Sequence, residues 1–162
     1  MIFVKKKKYL SAITKEIVLE AIGLIKPIIE DFGSKIWIVV TDPNKQFDDF
    51  DFYDSILLEY EVGTATEKRK QNATGKAKFS WENGLPSKMA SVYPRLLAGE
   101  DCVWGGSWVV ELKPGIYFVV AVSGFTEAKD ELISQFIINT IEMLIAEKVV
   151  ALKDSDEAAI IR

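Results

Sequence analysis

The stretch Val122–Leu132, VSGFTEAKDEL, places a serine and a glycine where an apolar strand gives way to an acidic helix start. A phosphate cradle at such a junction needs free backbone N–H groups at the helix N-terminus, usually with several glycines and a cation. Ser123 and Gly124 permit the turn, and Thr126 can cap the helix. Glu127, Asp130 and Glu131, however, fill the first turn and already complement the positive end of the helix dipole. An incoming phosphate would meet three carboxylates, so the stretch reads as a structural junction.

The second stretch with chemical potential is WGGSW, Trp104 to Trp108. Adjacent glycines let backbone approach a ligand or form a bulge, and the two tryptophans can wall an apolar pocket. The plainer reading is a strand-entry turn with core tryptophans. Cys102, the one cysteine, reads as a small buried apolar residue. Asp48, Asp49, Asp51 and Asp54 are dense enough to hold a hard cation, but no start position gives the glycine-sixth, glutamate-twelfth pattern of an EF-hand. They fit an edge strand or loop with acidic and aromatic faces. The basic runs Lys5–Lys8 and Glu67–Lys70 read as solvated charge.

Composition excludes more than it allows. The chain has no histidine, which removes Ser-His-Asp and Cys-His catalysis, histidine-bound zinc and histidine-ligated haem. A general base would have to be Asp, Glu, Lys or Tyr with a displaced pKa. A single cysteine allows no intrachain disulfide and no soft-ligand metal site. The net charge of -4 calls for no nucleic-acid partner. With 49% apolar residues in 162, the chain suits one globular domain, residues 1–162, with 1–10 and 153–162 loosely held. The N-terminus lacks the order of a signal peptide, so cytoplasmic residence is expected.

The elements that must position these residues follow from periodicity. Ile13, Ile17, Ala21, Leu24 and Ile28, with Val18, Ile22, Ile25 and Ile29 beside them, predict an amphipathic helix from Ser11 to Phe32. Ser11 would cap it, Gly33 would stop it, and Pro27 should kink or split it near Leu24. KIWIVVT, residues 35–41, reads as a strand, and a second is expected within 47–58. Residues 66–81 are polar enough for an exposed helix that Gly75 weakens. Strands are then expected at DCVW (101–104), SWVVEL (107–112) and IYFVVAV (116–122), the last two joined by a type II turn at Pro114–Gly115. The last strand is apolar on both faces, so both sides of the sheet should be covered there. A final helix from Thr126 to Leu152 would bury Leu132, Phe136, Ile137, Thr140, Ile141, Leu144, Ile145 and Val149. Glu142, Glu147 and Lys148 interrupt its apolar run, which argues against a membrane span.

In order, GKAKFSW with Lys76 and Ala77, GGSWVV at Gly105–Val110, Gly115, and VAVSGFTEAKDE resemble the GlcG/HbpS family, often labelled haem-binding or haem-degrading-like. Trp108 stands where the family has proline after the glycine pair, and Ala121 where glycine is common. The resemblance implies an α+β, profilin-like fold: an antiparallel five-stranded sheet packed by long N- and C-terminal helices. It also implies a ligand-binding pocket bordered by Lys76, Gly105, Gly106, Ser123 and Gly124, to which the residue reading adds Trp104 and Trp108. The function expected is a non-catalytic module, self-associating as a homo-oligomer, that binds a small apolar molecule or a protein partner. The alternative is haem or tetrapyrrole handling. Without histidine the iron would take Tyr, Cys102, Met89 or Met143, or the macrocycle would stack on Trp104 or Trp108.

Overall fold

The computed structural model describes residues 12–33, 35–45 and 48–161, with side chains through Lys148. Helix α1 (Lys15–Asp31) precedes strands β1 (Ile36–Thr41) and β2 (Ile56–Val62). Helix α2 (Glu67–Asn83) leads through two short 3-10 turns to β3 (Ser107–Lys113), β4 (Ile116–Ser123) and helix α3 (Glu127–Ile161). The sheet is antiparallel with order β2-β1-β4-β3. Its two central strands are nearly apolar throughout, because helices cover both faces.

Alternation sorts the strand residues between two layers. Ile38, Val40, Phe118, Val120 and Val122 pack against Ile17, Val18 and Ile22 of α1 and Ile137, Ile138 and Ile141 of α3. Val39, Val119 and Ala121 point the other way, onto Ala73, Ala77 and Trp81 of α2. The small residues of α2 let this helix lie close to the sheet.

Among the described residues four strands form, where five were expected. Residues 101–104 make no strand, because this segment lies across α2 at Gly75 and not along a sheet edge. A methyl group at Gly75 would stand 2.5 Å from the Glu100 carbonyl oxygen and 2.9 Å from the Cys102 nitrogen. That close approach makes Gly75 a packing device, and α2, expected to be exposed, buries Phe79, Ser80, Trp81 and Lys76. The second strand begins at Ile56, later than expected, after a loop in which Asp51 Oδ1 accepts the Tyr53 N–H.

Helix α1 runs through Pro27 without being split. Proline removes one hydrogen bond to the Gly23 carbonyl, but Gly23 and Pro27 face solvent, where water can serve that carbonyl, while Ile25 and Ile29 stay buried. Thr14 caps this helix by accepting the Ile17 N–H at 3.3 Å. Ser11, expected as the cap, and the Lys5–Lys8 run lie outside the described residues. Gly33 follows the helix with φ 68°, and Gly115 has φ 79°, as the third position of a type II turn requires.

Helix α3 is rotated from the face that was expected. Ile133, Ser134, Ile137, Ile138, Ile141, Leu144 and Ile145 are buried, while Leu132 and Phe136 are each 46% exposed. The reason lies at its first turn, where Asp130 must face inward.

Candidate functional site

Lys76 and Asp130 form an ion pair that joins α2 to α3 around the end of β4. The Lys76 ammonium lies 3.2 Å from Asp130 Oδ2 and donates to the Val122 carbonyl at 2.9 Å. Both side chains are 3% exposed. Burial pushes the Asp130 carboxyl above the usual carboxylate range, and the Lys76 charge opposes it, with help from the Phe125 and Gly124 N–H groups. The Phe125 N–H donates to Asp130 Oδ1 at 2.8 Å, so Asp130 occupies the place a phosphate would take at this turn.

The glycine pair shapes the same corner. Gly106 has φ 141°, and a methyl group there would come within 2.6 Å of Lys76 Nζ and 2.7 Å of the Val122 oxygen. Its carbonyl accepts from the Val122 N–H at 3.0 Å and from the Ser134 hydroxyl at 2.7 Å. Gly105 N–H donates to Glu127 Oε1 at 2.6 Å. Beneath them Ser107 meets Ser80 at 2.6 Å, and its hydroxyl accepts the Ser87 N–H at 2.8 Å. These buried serines fasten the turn after α2 to β3.

Above the ion pair opens a cleft of about 500 Å³. Lys76, Asp130 and Ser123 contribute to its lining, with Trp104, Phe125 and Lys68 around them. On the other side of Trp104 runs a wider groove of about 870 Å³, between Trp37 and Tyr53 and the loop Glu100–Trp104. In that groove Tyr53 Oη donates to Glu100, which raises the phenol's pKa. Lys78 holds Glu82 at 2.8 Å and Asp101 at 3.1 Å. Burial works to lower the Lys78 ammonium, but these two carboxylates outweigh it and raise its pKa. Burial likewise raises the Cys102 thiol, leaving it a poor nucleophile at neutral pH.

Of the residues singled out in the sequence, Lys76, Trp104 and Ser123 line the cleft together, and Gly105, Gly106 and Gly124 shape its rim through backbone. Gly124 has φ 155°, and a side chain there would strike Ile36. Trp108 does not join them. It lies on the opposite face of β3 from Ser107, against the α1–α3 core, with Lys88 Nζ 5.6 Å from its ring centroid. Sequence reasoning missed Phe125, Lys68 and the pairing of Asp130. The acids of the first α3 turn looked like dipole complements, yet each has its own partner: Glu127 takes Gly105 N–H, Asp130 takes Lys76, and Glu131 takes Lys88. Met143 is 51% exposed on α3, and neither it nor Met89 lines the cleft. Among the described residues no group of three or more Cys, Asp and Glu side chains is placed to hold a metal ion.

A four-stranded antiparallel sheet between helical layers, with a polar-floored cleft where two glycine turns meet, defines an α+β architecture. Solved structures share this fold. HbpS from Streptomyces reticuli, in a double-mutant form, superposes with a TM-score of 0.60 at 18% identity over 82% of this chain and 86% of that chain. Protein ORFY from Klebsiella pneumoniae, of the family DUF336, gives 0.63 at 16% identity over 80% and 90%. A PduOC–haem complex gives 0.54 at 14% identity over 77% and 86%. Neither a family model nor any curated protein matches the sequence. The chain has the GlcG/HbpS-like fold.

Proposed function

We propose that this chain is a non-catalytic small-molecule-binding module that takes its ligand in the Lys76–Trp104 cleft and works as an assembly of copies. The observation that carries the reading is the buried Lys76–Asp130 pair beneath a cleft with aromatic walls. Every strong acid–base group at the floor is already committed: Lys76 to Asp130 and Val122, and Asp130 to Lys76 and Phe125. Groups engaged in this way favour orienting and holding a ligand over proton transfer, which supports the non-catalytic reading. Trp104, 54% exposed, and Phe125 offer flat apolar faces, and Lys68 offers a cation at the rim.

That arrangement also supports the tetrapyrrole reading in one form. A macrocycle would lie against Trp104 and Phe125 with a carboxylate side arm toward Lys68, and the PduOC neighbour was crystallised as a haem complex. None of the cleft-lining residues is Tyr, Cys or Met, so the iron would gain no strong protein ligand there. Hemin titration followed at the Soret band tests this. A saturable shift that weakens in Lys68→Glu supports haem in the cleft; no saturable shift removes haem from the account and leaves an apolar organic ligand.

Self-association is supported by an apolar outer surface. Leu24 and Ile28 on α1, Phe32 at its C-terminal cap and Met143 on α3 are each more than half exposed, and Leu132 and Phe136 on α3 nearly so. Phe32 sits beneath Lys129 Nζ at 5.5 Å and edge-on to Phe125, so the end of α1 adjoins the start of α3. Monomeric proteins seldom leave such a face in water.

A further inference from the structure

The groove between Trp37 and Trp104 has a charge and an aromatic lining of its own. Its lining carboxylates are Glu59, Glu67, Glu100 and Asp101, set against Lys70 and Lys78. Lys78 is spent on Asp101, Glu82 and the Ala98 carbonyl. Lys70 does something more telling. Its ammonium sits 4.7 Å from the centroid of the Trp37 ring, and the same indole donates its N–H to Glu59 Oε1 at 3.3 Å. An indole whose N–H rests on a carboxylate presents a more electron-rich face, which is the surface that holds ammonium groups. The chain's own lysine therefore marks an occupied cation seat within an acidic groove. Exposed apolar surface lies on the same groove, with Trp104 54%, Tyr53 49% and Val103 43% exposed.

We propose that this groove binds a small organic cation, a quaternary or primary ammonium carrying an apolar or aromatic body. The ammonium takes the seat over Trp37 that Lys70 now fills, beside Glu59. The body lies toward Tyr53, Val103 and Trp104. The volume of about 870 Å³ is within the range of small-molecule sites. An anionic ligand is disfavoured by Glu59, Glu67 and Glu100. This groove shares Trp104 with the Lys76 cleft, but its cation seat at Trp37 and Glu59 lies outside that cleft and does not rest on what the cleft binds, so hemin binding or its failure leaves the proposal standing.

The test uses the intact chain, choline and benzyltrimethylammonium as probes, and the indole N–H resonance of Trp37, assigned by its loss in Trp37→Phe. Both cations should shift this resonance saturably. The neutral alcohol 3,3-dimethylbutan-1-ol, which has the shape of choline without its charge, should not. Lys70→Met removes the resident competitor and should tighten choline binding about threefold; Glu59→Gln should weaken it about threefold. Glu59 is exposed and Lys70 half-buried, and circular dichroism confirms that each variant is folded. The proposal is overturned by any of three results. They are an equal response to the alcohol, a choline affinity indifferent to both substitutions, or no saturable shift with either cation at about 50 mM.

Discussion

Gly75 sets two physical rules against each other. In a helix interior alanine is favoured over glycine by about 1 kcal/mol, so propensity forecasts that Gly75→Ala stabilises. Packing forecasts the opposite, because the new methyl would stand 2.5 Å from the Glu100 oxygen, which is backbone and cannot step aside cheaply. Packing should win, with a net loss of about 1–3 kcal/mol measured by urea denaturation. An unchanged or raised midpoint would show that the segment 100–102 does not lie on α2. Lys76→Met is the harsher change, since it leaves Asp130 buried without its cation, and about 3–5 kcal/mol should be lost. That loss has a pH signature. The Asp130 pKa is already raised in the folded state by burial, and removing the opposing Lys76 charge raises it further. A carboxyl with a raised folded pKa binds its proton more tightly folded than unfolded, so stability falls as pH rises from the unfolded to the folded value. The variant should therefore be least stable near neutral pH and recover part of its deficit under acid. A deficit of the same size at pH 8 and pH 5 would contradict this.

At the scale of elements, the order of helix, strands, helix, strands and helix could be read from periodicity, because each segment carries one dominant pattern. The rotation of α3 could not. Its sequence is apolar on nearly every side, so Leu132 and Phe136 looked as buried as Ile133 and Ile137. What decides is Asp130, which turns inward to reach a lysine on a helix 54 positions away. Leu24 and Ile28 on α1 mislead in the same way, standing in the apolar repeat yet facing water. The missing fifth strand has a related cause, since Cys102 and its neighbours are extended and apolar enough for a sheet but lie on a glycine of α2. The outward-facing apolar residues yield a prediction at this scale. Replacing Ile28 with Asp and Phe136 with Glu should convert an assembly into monomers by light scattering while leaving the circular dichroism spectrum unchanged. Wild-type protein that is already monomeric at high concentration would remove the self-association reading.

For the whole molecule, the two helical layers are unequal. Between the sheet and α1 with α3 lies a broad core of isoleucine, valine and leucine, with Phe118 at its centre. Between the sheet and α2 lies a thinner one, with Phe52 and Trp81 as its large buried side chains among alanines and valines and with Trp37 and Tyr117 packed at its edge. Burial of apolar area scales the cost of opening, so α2 should open before the rest. Native-state hydrogen exchange should show α2 amides exchanging at lower free energy than those of β1, β4 and α1; equal protection throughout would refute the asymmetry. Much of the cleft could be inferred from sequence because glycines and a serine mark turns by type. Phe125, Lys68 and the Asp130 partnership could not, because nothing local to residues 122–132 shows that a buried lysine arrives from the opposite side of the sheet. Among the described residues no helix is long and apolar enough to cross a membrane.

The crossing of Lys76 past the end of β4 has one more consequence. The hydrogen bonds that hold the corner together run to backbone oxygens, to the carboxylates of Asp130 and Glu127 and between buried serines, whereas the rings that would greet a guest belong to Trp104 and Phe125 and carry none of that scaffolding. Taste and frame are therefore separable. On the proposed reading, exchanging those two rings would change which guest is welcomed while the clasp beneath stays shut.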